Sequence, residues 1–288
     1  MTLARRTIAI LFHASATESR LPHYFITRLA EYWREDGHTV VFLFGVEEYV
    51  PADLVIVHVD LSVVPESYLE FARRYPIALN AQVRDIRKST ISSLRVHRGD
   101  AYDGAVIVKS NLNYAGAPER AAAEAAVRSG SWWQRLRKRF HEARALRLGS
   151  PLDYRIYASP RRVPRRYFAQ PDLIVERFLP EIEHGMYCVR NFHFLGDHLS
   201  CIRRRGKHPI VNGATVLDRE PVEPHPEIVA LRRELGFDYG KFDYVVVDGR
   251  AVLLDVNKTV GWAGAQDTPE RRAERRKEAE GLYAYFRG

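Results

Sequence analysis

Two aspartates and one asparagine occupy a strand-turn-strand pattern near the end of the sequence. Asp255 and Asn257 are two residues apart, and residues two apart in a strand face the same side. Asp243 comes close to facing Asp255 across the tight turn predicted at 248–249. Carboxylate and amide oxygens suit Mg²⁺, whose remaining ligands are usually phosphate oxygens and water. The alternative is an ordinary hairpin with solvent-facing aspartates, but the apolar run 252–254 before Asp255 argues against it.

Two further stretches have residues that suit a nucleotide. Lys109 ends the apolar run 106–108 and is followed by small and polar residues, a pattern that can meet a phosphate chain; a surface lysine is the alternative. The predicted strand 173–175 leads into residues 176–181, where backbone groups can hydrogen-bond a planar base; an ordinary strand end is the alternative. Neither a Walker loop nor a G-x-G-x-x-G fingerprint occurs in the sequence.

Two neighbouring predicted strands contain arginines. Arg190 lies within the first, and the triplet Arg203–Arg205 ends the second. Arg190 and at least one member of the triplet can face a shared cleft and hold phosphoryl or carboxylate oxygens bidentately. For the triplet, a solvated strand end is the alternative.

These residues need a scaffold, and hydrophobic periodicity predicts one. Residues 1–80 follow a β-α-β-(β)-α order, which favours a small parallel sheet with flanking helices. Residues 173–256 consist of short strand-like runs and turns. A long helix-prone stretch covers 118–148, and two further helices are predicted at 227–235 and 268–286.

The composition excludes several classes of protein. With 288 residues, 46% of them hydrophobic, the chain can bury a sizeable core, and disorder is excluded for its bulk. We expect no signal peptide and no transmembrane segment, because no apolar run approaches the length that spans a bilayer. Cys188 and Cys201 are the two cysteines, which excludes a disulfide scaffold and suits a reducing cytosol, so we expect a cytoplasmic protein.

The order of these motifs resembles the ATP-grasp superfamily. The resemblance covers roughly residues 85–262, and it is greatest to the branch of ribosomal-protein and peptide glutamate ligases. It implies a Rossmann-like domain over 1–84, followed by a small ATP-grasp subdomain over 85–179 with a basic helical insertion at 118–170. A large subdomain with the metal-binding hairpin would cover 180–288. The expected fold class is therefore α/β with α+β, a Rossmann-like domain preceding a two-subdomain ATP-grasp fold.

The resemblance also implies roles for individual residues. ATP would bind between the subdomains, and the transferred phosphoryl group would be stabilised by the arginines. The implied ATP-binding residues are Lys88, Lys109, Glu176, Arg177, Phe178, Leu179 and Asn212, with Glu181 or Glu183 for the ribose hydroxyls. The implied metal ligands for Mg²⁺ are Asp243, Asp255 and Asn257. The implied catalytic arginines are Arg190, with Arg203 or Arg205. The family usually has Glu where this chain has Asp255.

The positive charge is concentrated in one segment. The protein has a net charge of +8, yet residues 131–166 alone hold eleven basic and two acidic side chains, so the other 252 residues sum to −1. A helix is predicted over 131–148 with an apolar and a cationic face. Three interpretations stay open: a lid over the ATP site, capture of an acidic partner, and binding to a membrane surface with Trp132 and Trp133 as anchors.

The resemblance implies an ATP-dependent, ADP-forming ligase that joins a carboxylate, small or peptidic, to an amine. The alternatives are a kinase that acts on a hydroxyl, and a non-enzymatic protein that binds nucleic acid or membrane through residues 131–166. We expect no stable nucleic-acid partner, since the body of the protein is close to neutral. The sequence leaves the oligomeric state open.

Overall fold

The computed structural model describes residues 4–128, 154–262, 264 and 268–287. The predicted basic helix over 131–148 lies outside the described residues. Three sheets follow one another along the described part of the chain. They occupy residues 7–79, 106–177 and 181–257.

The first sheet is parallel, with the strand order β2-β1-β3-β4. Its strands are β1 (Thr7–Phe12), β2 (Thr39–Phe44), β3 (Leu54–Val57) and β4 (Ile77–Leu79). Its central strands are continuous apolar runs because the sheet is covered on both faces. Helix α1 (Phe25–Glu35) packs on one face and α2 (Glu66–Ala72) on the other. Gly37 follows α1 with a φ of 87°, a left-handed conformation that favours glycine after a helix.

The second sheet is small and antiparallel, with the order β6-β5-β7. Its strands are β5 (Val106–Ser110), β6 (Arg155–Tyr157) and β7 (Leu173–Arg177). The helices described in this part of the chain are α3 (Lys88–Ile91), α4 (Ala117–Arg128) and α5 (Arg165–Phe168). Val163 and Tyr167 pack against β5 and β7 and thereby anchor the segment that contains α5.

The third sheet is the largest, with the antiparallel order β11-β10-β9-β12-β13. In addition, β8 pairs with the first residues of β9, on the side away from β10. Its strands are β8 (Glu181–Glu183), β9 (Met186–Leu195), β10 (His198–Gly206), β11 (Asp218–Pro221), β12 (Tyr239–Val247) and β13 (Arg250–Asn257). One face packs against α6 (Pro226–Glu234) through a core rich in phenylalanine. Helix α7 (Pro269–Glu280) returns to α1 and joins the first core.

The predicted parallel order, the hairpin turn at 247–250 and the two late helices agree with these elements. None of the helices in the described part of the chain is long and apolar enough to cross a lipid bilayer. The opposite face of the third sheet, together with β5 and the segment after β7, encloses the cavity described next.

Candidate functional site

A cavity of about 470 Å³ lies between the second and third sheets. Nine of the residues predicted from the sequence line it. They are Lys88, Lys109, Arg177, Phe178, Leu179, Asn212, Asp243, Asp255 and Asn257. Apolar side chains from β5, β12 and β13 line it as well, so it combines a few charged groups with an apolar wall, as ligand pockets usually do.

The hairpin of β12 and β13 places the two aspartates directly opposite each other. Asp248 and Gly249 both have positive φ and form the predicted turn. A regular ladder counted from this turn would pair Asp243 with Leu254. A β-bulge after Asp243 changes the register, so that Asp243 pairs with Asp255 and Leu254 is the extra residue. The bulge therefore aligns the two carboxylates on the cavity side.

Asp243 contacts two polar side chains of the cavity wall. Lys241 lies two residues earlier on the same face, and its Nζ donates to Asp243 Oδ2 at 3.0 Å. Asn191, the cross-strand neighbour of Asp243 on β9, donates to Oδ1. Sequence reasoning missed both residues, although strand parity places Lys241 on the face of Asp243.

Asp255 forms an ion pair with Lys88. The Lys88 Nζ lies 2.9 Å from Asp255 Oδ1, and the lysine side chain is only 3% exposed. Lys88 begins the short helix α3, and its backbone N–H donates to the carbonyl of Asn111. The structure thus brings the start of the ATP-grasp-like region against the strand that carries Asp255.

The amide oxygen of Asn257 is held by the chain that follows it. The backbone N–H of Thr259 donates to Asn257 Oδ1 at 2.8 Å. The Thr259 hydroxyl donates to Asp60 at 2.8 Å, and Tyr24 donates to the other oxygen of the same carboxylate. Asp60 lies just beyond the end of β3, and burial raises its pKa. The first sheet therefore positions Asn257 through Thr259, a connection that no sequence motif indicates.

Lys109 lies at the cavity floor and pairs with Glu176. Its Nζ is 2.9 Å from Glu176 Oε2, and the glutamate side chain is fully buried. Glu176 therefore lies beneath the cavity surface and does not line it. Residues 177–180, the segment after β7, do line it. Of the predicted base-binding segment, the part after Glu176 can contact a ligand.

The three predicted catalytic arginines, Arg190, Arg203 and Arg205, do not line the cavity. Strand alternation puts Arg190 on the face of Phe192 and Phe194, which belong to the core, and Arg203 and Arg205 share that opposite face. Glutamates and an aspartate pair with them there. The pairs are Arg190–Glu181 at 2.7 Å, Arg203–Glu183 at 2.9 Å, Arg203–Glu220 at 2.7 Å, Arg205–Glu183 at 3.4 Å, and Arg205 with Asp218. Glu181 and Glu183, predicted for ribose, are thus ion-pair partners outside the cavity.

Arg204 is the member of the triplet that does line the cavity. Its Nε is buried without a hydrogen-bond partner among the described residues. Burial lowers the pKa of Arg204, and the nearby carboxylate of Asp243 opposes this effect. Burial, together with the charges of Lys241 and Arg204, lowers the pKa of His193 to about 3, so His193 is neutral in the same wall.

The oxygen atoms at the hairpin fit a magnesium ion. Asp243, Asp255 and Asn257 all line the cavity and supply hard oxygen donors, the type that Mg²⁺ prefers. Asn191 Oδ1, next to Asp243, is buried without a hydrogen-bond partner in the described residues. Within the same residues, no group of three or more His, Cys, Asp or Glu side chains could hold a metal. The donor set thus suits an ion that takes two carboxylates and completes its shell with ligand and water oxygens.

Comparisons by sequence give no relatives: no family profile matches the chain, and no curated protein matches it. Comparison with solved structures does find similar proteins. The macrocyclase MdnC from Microcystis aeruginosa MRC, a protein of the ATP-grasp fold, is 11% identical with a TM-score of 0.50, covering 96% of this chain and 99% of that chain. The chain has the ATP-grasp fold.

Two other ATP-grasp structures are also similar. D-alanine–D-alanine ligase from Bacillus anthracis complexed with ATP is 10% identical with a TM-score of 0.43, covering 96% of this chain and 95% of its own. A RimK domain ATP-grasp protein from Sphaerobacter thermophilus DSM 20745 is 11% identical with a TM-score of 0.45, covering 97% and 100%. It is the similarity to MdnC that confirms the predicted ATP-grasp fold.

Proposed function

We propose that this protein is an ATP-dependent, ADP-forming ligase that joins a carboxylate to an amine. One observation carries the proposal: Asp243, Asp255 and Asn257 line the same cavity as Lys88 and Lys109 in a chain with the ATP-grasp fold. Two buried lysines opposite a cluster of hard oxygen donors provide the charges that a magnesium-bound triphosphate requires.

In this proposal, the nucleotide lies along the cavity. The backbone of residues 177–180 binds adenine, and the apolar side chains of Ile107, Val245 and Leu254 cover its faces. Lys88 and Lys109 bind phosphate oxygens, and their present partners Asp255 and Glu176 hold them in place. Asn212 lines the same cavity and binds the nucleotide from the loop after β10.

Asp243, Asp255 and Asn257 hold Mg²⁺, which neutralises charge on the phosphates when it is bound. Arg204 and Lys241 take the role of stabilising the transferred phosphoryl group, because they face the cavity whereas Arg190, Arg203 and Arg205 do not. Lys241 now pairs with Asp243, and with that carboxylate engaged by Mg²⁺ it would be free to contact a phosphate oxygen.

The reaction consists of two balanced steps. A substrate carboxylate oxygen attacks the γ-phosphorus, and the bond to the bridging oxygen breaks to release ADP. The amine then attacks the carbon of the acyl phosphate, inorganic phosphate leaves, and the nitrogen loses a proton. Enclosure of this chemistry in a cavity protects the acyl phosphate from water.

We further propose that residues 1–84 form a Rossmann-like domain, and that 85–179 and 180–288 form the two ATP-grasp subdomains. The carboxylate substrate is a small molecule or a peptide. Support for a peptide comes from MdnC, whose structure was determined bound with its precursor peptide MdnA.

The test is product analysis with a panel of carboxylates and amines. The ligase proposal requires ADP and phosphate to be released only when ATP, a carboxylate and an amine are all present. Release of AMP and pyrophosphate would contradict it. A stable phosphorylated product formed without any amine would identify a kinase instead.

A further inference from the structure

Strand β6 is at the edge of the second sheet. It pairs with β5 on one side, and no strand pairs with its other side in the described part of the chain. Ile156, in the middle of β6, is 37% exposed. An open strand edge presents backbone N–H and C=O groups that an extended polypeptide can pair with.

The residues on and after β6 are strongly basic. Residues 154–171 contain five arginines and no acidic residue or lysine. All five side chains are exposed, namely Arg155, Arg161, Arg162, Arg165 and Arg166. The segment is held firmly, because Val163 and Tyr167 are buried against β5 and β7. We call β6 and these five residues the arginine edge.

The arginine edge differs from the other arginine cluster of this fold. Arg203 and Arg205 are neutralised by carboxylates on adjacent strands. None of the five arginines of the arginine edge forms an ion pair with any residue that the structure describes. Five arginines on an anchored surface, with no ion-pair partner among the described residues, create a positive potential that attracts an anionic partner.

The arginine edge also begins at the cavity. Tyr154 lines the cavity, and Arg155 is the next residue. Burial raises the pKa of Tyr154, and Asp255, Lys109 and Glu176 are its charged neighbours. A chain lying along β6 therefore reaches the site of phosphoryl transfer at its Tyr154 end.

We propose that the arginine edge binds an acidic peptide in extended conformation, adding it as a strand to β6 and directing one of its carboxylates into the cavity. The activation of that carboxylate in the cavity rests on the proposed ligase function, whereas the binding of the peptide does not. A peptide is favoured over nucleic acid because the strand edge pairs with a polypeptide backbone, and because phosphodiesters contain no carboxylate to activate. Guanidinium groups bind carboxylates bidentately, so several acidic side chains are recognised together.

Fluorescence anisotropy tests this with the full chain and no ATP. The probe is a short labelled peptide that alternates glutamate and valine. We expect saturable binding that weakens at high salt, and binding at least about tenfold weaker when glutamine replaces glutamate. A version N-methylated at alternate residues should also lose about tenfold, because it cannot complete the strand ladder.

The variant Arg161→Gln/Arg162→Gln should bind the acidic peptide about tenfold more weakly than the natural protein. The matched control is Arg233→Gln/Arg271→Gln, which also removes two exposed positive charges but outside the arginine edge, and it should bind normally. Equal binding by the two double variants would overturn the proposal. So would tighter binding of an oligouridylate, or of phosphatidylserine vesicles, than of the peptide.

The two proposals fail separately. If the peptide binds but no ADP is released with any carboxylate and amine, the ligase function is wrong and the surface stands. If ADP is released with a small carboxylate but the peptide does not bind, the arginine edge proposal is wrong.

Discussion

The double variant Asp255→Asn/Asn257→Ala removes two of the three proposed metal ligands. For the natural protein, Mg·ATP at about a hundred times its Kd contributes about 2.7 kcal/mol to the free energy of unfolding. For a chain of this size, that corresponds to a rise in Tm of about 5–10 °C. In the variant we expect this rise to disappear.

The variant also loses stability without any ligand. It breaks the pair between Asp255 and Lys88, whose lysine is 3% exposed and whose carboxylate is 32% exposed. Because the carboxylate is partly solvated, the cost is below that of a fully buried pair, and with the lost Thr259 contact it amounts to about 2–3 kcal/mol. The chain should still fold, as circular dichroism can verify.

Differential scanning fluorimetry with and without Mg·ATP separates the two effects, because only the ligand-induced increment reports on binding. Asp248→Asn is the matched control: it removes an exposed carboxylate from the turn of the same hairpin, and asparagine tolerates its positive φ. An increment in the double variant equal to that of the natural protein would refute the assignment of the metal ligands.

Three further predictions concern charged groups. Lys109→Met should abolish ATP binding and destabilise the protein by about 3–5 kcal/mol, since it leaves Glu176 buried and unpaired. In chemical denaturation, adding Glu176→Gln should restore most of the stability, but it should not restore ATP binding. Failure of that rescue would contradict the pairing of Lys109 with Glu176. Arg204→Gln should lower kcat by about 100-fold, whereas Arg205→Gln, on the opposite face of the third sheet, should leave kcat unchanged. Steady-state assays in which Arg205→Gln lowers kcat and Arg204→Gln does not would show that the catalytic face of the sheet is wrongly assigned. Burial raises the pKa of Glu278 from its ordinary 4.5 to about 8, so the folded state binds the proton more tightly and the free energy of unfolding should fall by about 4 kcal/mol as pH rises from 4.5 to 8. Glu278→Gln should remove that fall in denaturation curves, and a pH dependence like that of the natural protein would contradict it.

The hairpin shows how far sequence reasoning reaches. Alternation and the Asp248-Gly249 turn predict that Asp243 and Asp255 approach each other, and the structure agrees. Counting from the turn pairs Asp243 with Leu254, because a bulge has no sequence signal strong enough to predict its position. The local sequence pattern therefore predicts that Asp243 and Asp255 are neighbours, but the position of the bulge that aligns them depends on how the sheet is packed.

The arginine strands show where the reasoning stops. Alternation correctly implies that Arg203 and Arg205 share a face and that Arg204 has the other. It does not state which face borders the cavity, because that depends on what packs against each side of the sheet. The phenylalanines at 192 and 194 share the parity of Arg190, and this signal indicates that its face belongs to the core.

Interactions between distant segments were beyond the sequence patterns. Asp60 contacts Thr259 across 199 positions of the chain, and Lys88 contacts Asp255 across a similar separation. Such contacts depend on how the three sheets are arranged. The predicted lid helix over 131–148 lies outside the described residues and stays a prediction.

The most direct measurement is a crystal structure with a non-hydrolysable ATP analogue and Mn²⁺ in place of Mg²⁺, recorded at the manganese absorption edge. Our account predicts an anomalous peak about 2.1 Å from carboxylate oxygens of Asp243 and Asp255, with the analogue's phosphates beside Lys109. An anomalous peak away from the hairpin, or a nucleotide bound outside this cavity, would contradict it.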